Sequence, residues 1–227
     1  MRILALGAHP DDLEIYAWGS LCAWAAMGAE LVLAIATDGA AGGRMPPEKL
    51  VQRRTAEAMA AATALGQHPV FLGFADGGLS TEPHLLSRLI ALIAETAPDL
   101  VISHAPNDYH ADHRALSMAA NQACGFSVPF MEMDTMGGTG FSPNIWIDIG
   151  PYWAAKCTAI RCHESQDPER FVTMANRQAA FRAGQANGLN DHRAEAFRFE
   201  PRFPFADIRA LLPPAPALRA IGHRGKS

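Results

Sequence analysis

The stretch Ile3-Leu4-Ala5-Leu6-Gly7-Ala8-His9-Pro10-Asp11-Asp12-Leu13-Glu14 decides how this chain is read. Its apolar start, at the extreme N-terminus, has the pattern of a buried strand. At the tip come an imidazole and two adjacent carboxylates, which packing does not call for. Ionisable groups crowded into four residues repel one another or lose hydration unless a positive charge sits among them. A divalent metal would resolve that crowding, and hydrolytic chemistry would follow from it.

Outward from this stretch the chain alternates apolar strands with amphipathic helices. Strands are expected at Met1–Gly7, Glu30–Ala36, Val70–Leu72 and Leu100–Ser103. Helices are expected at Leu13–Met27, Pro47–Leu65, Glu82–Glu95 and His110–Cys124, three of them ended by Gly28, Gly66 and Gly125. This rhythm implies an α/β fold: a Rossmann-like, mostly parallel sheet with helices on both faces. The second half is less regular. It suggests strands at Pro129–Asp134 and Ile145–Ile149 and helices at Pro151–Arg161 and Pro168–Ala186. The proline-rich tail from Glu200 is expected to wrap the surface or a partner. With no repeat and no linker, residues 1–227 read as a single domain.

Ligands of open α/β sheets bind beyond the carboxyl ends of the strands. Two loops therefore share one edge: the loop at His9, and His104-Ala105-Pro106-Asn107-Asp108-Tyr109-His110-Ala111-Asp112-His113 after the fourth strand. His110 and His113, three apart at a helix start, can point the same way. With His9 and Asp12 they offer a two-histidine, one-carboxylate site of the kind zinc uses when it keeps a position open for water. Asp11 is then available as a general base, and His110 as a general acid or a donor to an oxyanion. Asp38 ends the second strand on the same edge and is a candidate substrate contact. His104, before a proline, reads as a structural histidine.

Bulk properties narrow the alternatives. The 227 residues are 49% hydrophobic and 19% charged, which excludes a disordered chain. A net charge of −4 lacks the basic footprint of a nucleic-acid binder or of a protein drawn to anionic membranes. No stretch is long and apolar enough to span a bilayer. The four cysteines form no Cys-x-x-Cys pair, and their scatter fits free thiols in a cytoplasmic protein. A dinucleotide-binding reading fails because the first loop carries His-Pro-Asp-Asp where glycines would be needed. A phosphoesterase would gather more carboxylates around two metals, whereas one three-ligand set is visible here.

Taken together, Ala8-His9-Pro10-Asp11-Asp12-Leu13-Glu14 and Pro106-Asn107-Asp108-Tyr109-His110-Ala111-Asp112-His113 resemble the LmbE-like, or PIG-L, family of zinc-dependent de-N-acetylases. Thr37-Asp38-Gly39, Arg54-Thr55-Ala56-Glu57, Asp76-Gly77, His163-Glu164-Ser165-Gln166 and Ala194-Glu195-Ala196-Phe197 match further family motifs. The resemblance implies one Zn2+ per chain held by His9, Asp12 and His113. It implies Asp11 as general base, His110 as oxyanion stabiliser or proton donor, and Asp112 as the group that orients or charges an imidazole. It makes Arg54 a contact for the sugar or its attached group. The implied partner is a small N-acetylated amino sugar or its conjugate, with a non-sugar amide as the alternative substrate and homo-oligomers open. His163 and Glu195 are left between pocket and structural roles.

Overall fold

The computed structural model describes residues 1–189 and 191–220. Seven strands form one sheet in the order β3-β2-β1-β4-β5-β7-β6. They are β1 (Arg2–Gly7), β2 (Glu30–Thr37), β3 (Val70–Phe74), β4 (Leu100–Ser103), β5 (Phe130–Met133), β6 (Ile145–Asp148) and β7 (Ala194–Phe199). The first five pair in parallel, whereas β7 runs antiparallel to both β5 and β6. The strand order reverses direction between β1 and β4, which opens a crevice at their carboxyl ends.

Alternation along the strands divides the core. Ile3 and Ala5 face one side with Leu31, Leu33, Leu100 and Ile102. There they meet α2 (Trp18–Ala26) through Trp18, Leu21 and Trp24, and α7 (Pro168–Gln185) through Ala179. Leu4 and Leu6 face the other side, against Leu89 and Leu92 of α4 (Leu85–Thr96) and Leu116 of α5 (Ala111–Cys124). A strand buried on both faces is apolar throughout, as the N-terminal run implied.

The structure departs from the sequence reading in two places. The helix expected over 13–27 is two helices, α1 (Asp12–Tyr16) and α2, broken at Ala17 with φ −138° and ψ 0°. The cause is remote: the Glu195 carboxylate accepts from the backbone N–H groups of Gly19 (3.1 Å) and Ser20 (2.8 Å), capping α2 from β7. Gly19 lets Ile149 pack against this turn, since a Cβ there would sit 2.6 Å from the Ile149 side chain. The second departure is β7 itself, an additional strand whose sequence reads only as a motif. The described part of the tail, to residue 220, packs on its own fold, where Trp24 Nε1 donates to the Leu211 carbonyl (2.7 Å) and Asp148 N to that of Pro214 (2.9 Å); residues 221–227 lie outside the described residues. Two helices complete the picture: α3 (Pro47–Thr63) and α6 (Trp153–Arg161). All four cysteines are free, and no helix among the described residues is long and apolar enough to cross a membrane.

Candidate metal centre

β1 delivers Ala8 and His9 to the crevice, and β4 delivers His104 beside them. The two strand ends are stitched by Ala8 N–H, which donates to His104 Nε2 at 3.1 Å. The chain then turns sharply. Asp11 has φ 134°, a region that a residue with a Cβ rarely occupies. Arg54, from α3, holds the turn: Nη2 donates to the Pro10 carbonyl (2.7 Å) and lies 3.2 Å from Asp11 Oδ1. Its Nη1 donates to the Gly39 carbonyl, and a Cβ at Gly42 would run into that nitrogen.

Three donors converge beside this turn. His9 Nδ1 is 3.3 Å from His113 Nε2 and 3.4 Å from the Asp12 carboxylate. His113 Nε2 is 3.3 Å from the other Asp12 oxygen. Tetrahedral zinc with bonds of about 2.0–2.1 Å sets neighbouring ligands about 3.3–3.4 Å apart, so the spacing fits. The far nitrogens agree. His9 Nε2 lies 3.1 Å from Asp76 and 3.2 Å from Asp112, and His113 Nδ1 lies 3.2 Å from Asp108. Carboxylates at those positions keep the protons on the far side of each ring and free the inner nitrogens for a cation. Among the described residues, further donor groupings bring His110 to His9 and His113, and His104 to Asp12 and His113.

Charge states show the same demand. Burial works against a charged His9, but Asp12 and Asp76 outweigh it and push the imidazole up to about 11. His113 is likewise pushed up to about 9 by Asp12 and Asp108 against the effect of burial. Burial also opposes the charge of Asp12, yet His113 and His104 hold its carboxyl well below the usual range. His104, stacked on His113 at 3.7 Å, goes down to about 4 through burial and that neighbour. Asp11 moves the other way, up to about 6, because burial outweighs the attraction of Arg54.

The structure brings His9, Asp11, Asp12, Arg54, His110 and His113 to one cavity of about 290 Å3. His110 caps α5, its Nδ1 accepting from Asp112 N at 3.2 Å, which leaves the ring proton on Nε2. Asp112 is fully buried behind His9 and also accepts from Gly77 N (2.7 Å) and Leu79 N (3.1 Å), tying down the loop after β3. Asp38 is elsewhere occupied. Its Oδ1 accepts from Ala40 N and Asp76 N, a bracing role between loops, and it does not line the cavity. His163 is buried with Nε2 3.4 Å from Glu14, and Glu195 caps α2, so neither touches the three donors. Sequence reasoning missed Asp76 and Asp108 as partners of the histidines. Asp76 carried a signal in its Asp-Gly loop, and Asp108 in its place two residues before His110.

The sequence model of the family described as PIG-L: GlcNAc-PI de-N-acetylase matches residues 4–124, more than half of the chain. The chain belongs to the PIG-L family. Among curated relatives, the diacetylchitobiose deacetylase of Thermococcus kodakarensis is 29% identical, over 91% of this chain and 88% of its own length. Among solved structures, N,N'-diacetylchitobiose deacetylase from Pyrococcus horikoshii has the same fold, with TM-score 0.78 and 24% identity over 88% of this chain and 84% of that one. Equally similar in shape is GalB, the 4-carboxy-2-hydroxymuconate hydratase from Pseudomonas putida KT2440. Its TM-score is 0.78 and its identity 25%, covering 88% of this PIG-L chain and 97% of the hydratase. Relatives of this chain thus include deacetylases of N-acetylated sugars and a hydratase built on the same frame.

Proposed function

We propose that this protein is a zinc-dependent hydrolase that removes the acetyl group from an N-acetylated amino sugar or its conjugate. The observation that carries the reading is the set of three inner donors, His9 Nδ1, Asp12 and His113 Nε2, spaced 3.3–3.4 Å apart beside Asp11, which pairs with Arg54. When bound there, zinc lowers the pKa of a water to about 7 and polarises the amide carbonyl.

The chain's own groups supply the proton transfers. Arg54 occupies Asp11 Oδ1, which leaves Oδ2 to accept a proton as the water oxygen bonds to the carbonyl carbon. His110 Nε2–H donates to the carbonyl oxygen as it gains negative charge. The C–N bond then breaks, and the nitrogen takes the proton held on Asp11. The products are acetic acid and a free amine, and the acid's proton then passes to the amine to leave acetate and an ammonium ion, so atoms and charge balance. Asp112, Asp76 and Asp108 position the two imidazoles.

Hydration of an unsaturated carboxylic acid is the second reading, favoured by the likeness to the hydratase. A substrate with several carboxylates calls for free cations in the cavity. Among the described residues that line it, Arg54 is the single Arg or Lys. Its guanidinium is already committed to Gly39, Pro10 and Asp11. The deciding experiment assays metal-analysed protein for acetate and amine release from N-acetylglucosamine glycosides, and for water addition to an unsaturated tricarboxylate. Equimolar acetate and amine support the hydrolase. Protein that carries metal, hydrates the acid and releases no acetate overturns it.

A further inference from the structure

Behind the metal cavity lies a second, smaller one of about 20 Å3, room for about one water molecule. Ile15, Tyr16 and Met136 line both cavities, so these three side chains form the partition between them. Beyond the partition, Ala175, Ala179 and Ala196 give the second cavity an apolar part, and the Lys156–Glu195 and Asp134–Arg182 pairs bound the rest. Two members of the partition are placed by α1. Tyr16 stands one helical turn beyond Asp12, edge-on to His113 with ring centroids 6.0 Å apart. The Ile15 carbonyl accepts from Lys156 Nζ at 2.6 Å.

Met136 comes from the loop after β5, and its backbone sets its place. Gln178 of α7 takes both peptide groups that flank it: Oε1 accepts from Gly137 N and Nε2 donates to the Thr135 carbonyl, each at 2.9 Å. Gly137, at φ 68°, supplies a turn that a residue with a Cβ would resist. The clasp thus holds an unbranched, rotatable side chain in the partition. An N-acyl group at the inner donors has three parts to place. Its oxygen faces His110 and the donors, and its nitrogen carries the sugar towards the opening. What is left, the carbon chain of the acyl group, needs an apolar surface. The carboxylates and imidazoles of the cavity offer little of one. The partition offers it, and Tyr16 brings it to the edge of His113.

We propose that Met136 is a plug that confines the acyl group to acetyl: the acetyl methyl ends against it, and a longer chain needs the space that its Cγ, Sδ and Cε fill. This rests on the hydrolase reading above. With Met136 cut back, the two cavities join, and the added room runs towards Ala175 and Ala179 of α7. Selectivity between acyl groups then changes while the inner donors and Asp11 stay in place.

The test measures kcat/KM on glycosides of N-acetyl-, N-propionyl- and N-butyrylglucosamine. Wild-type protein is expected to favour acetyl over butyryl by about 10-fold or more, since one methylene in a filled pocket is worth about 10- to 200-fold. Met136→Ala is expected to raise the butyryl-to-acetyl ratio about 10-fold, and Met136→Leu, of similar volume, to keep it within about 3-fold. Gln178→Ala releases the clasp but leaves the Met136 side chain whole, and should raise the ratio by less. If Met136→Ala does not fold, the ratio in Gln178→Ala decides: a raised ratio supports the plug and an unchanged one overturns it. Binding of acetate and butyrate to zinc-loaded protein, read by ligand-observed NMR, tests the partition without turnover. Absence of turnover on every amide, with butyrate bound more tightly by Met136→Ala than by wild type, counts against the hydrolase reading alone. Equal wild-type kcat/KM on acetyl and butyryl, or Met136→Ala with the wild-type ratio and the wild-type butyrate affinity, overturns the plug.

Discussion

Around Lys156 and Asp134, every buried charge meets its opposite. Lys156 Nζ lies 2.5 Å from Glu195, and Arg182 reaches both oxygens of Asp134 at 2.6 and 2.8 Å. On the other side of Ile15 and Tyr16, which line both cavities, carboxylates and imidazoles crowd one another at 3.0–3.4 Å around His9 and His113, with no Lys or Arg among those partners. Both clusters are buried and both contain ionised groups. The first is closed, because its cations are covalently part of the chain. The second is open, because its electrostatics call for a cation that the chain does not own. Burial of charge therefore does not mark the site; an unbalanced sign does.

The comparison is broken most severely at Asp11. Asp11→Asn removes the proton acceptor without touching the three inner donors. It is expected to lower turnover by about 10^2- to 10^4-fold, measured as acetate release, with metal content unchanged. Loss of metal in that variant would place Asp11 among the ligands. Next come the closed pairs. Lys156→Met strands Glu195 in the interior and is expected to cost about 3–5 kcal/mol in urea unfolding, since one partner of a buried pair is left alone. The double variant Lys156→Met/Glu195→Gln removes the stranded charge and should recover part of that loss. Recovery of nothing would mean that the cap on α2 matters more than the pairing.

Chelation should act on the open cluster alone. Relative to protein with free metal at a hundred times its Kd, metal-free protein should be less stable by about 2.7 kcal/mol. An unfolding curve indifferent to metal would remove the distinction between the clusters. Smallest is Asp112→Asn, which leaves all three inner donors in place but weakens the partner behind His9. Metal affinity is expected to fall about 10- to 100-fold. Competition against a chromophoric chelator measures it, and unaltered affinity would transfer the positioning role to Asp76.

What the sequence disclosed depends on how local the cause is. Leu4 and Leu6 against Ile3 and Ala5 announce a strand with two covered faces, and the short parallel strands follow from their own residues. The loops at His9 and at residues 104–113 were legible because each crowds its chemistry into a few positions. The rule of strand ends then placed them together. The break at Ala17 was not legible, because a carboxylate 178 positions later makes it. Asp38 shows what the sequence leaves out. It sits at the correct edge, yet its short side chain is satisfied by the adjacent loop backbone. Asp76 and Asp108 were visible as residues but not as partners, since pairing with an imidazole nitrogen is decided by the fold.

The cap on α2 has a consequence for how the molecule is made. Residues 4–124 hold the whole family match and every proposed metal ligand. The groove those ligands line is steadied at Ile15, Gly19 and Ser20 by Lys156 and Glu195, from α6 and β7. During synthesis, residues 15–20 emerge well before Lys156 and Glu195, and their contacts wait until the strand carrying Glu195 has been made and has joined the sheet. The shortest segment that can hold a finished centre is therefore much longer than the segment that supplies its ligands.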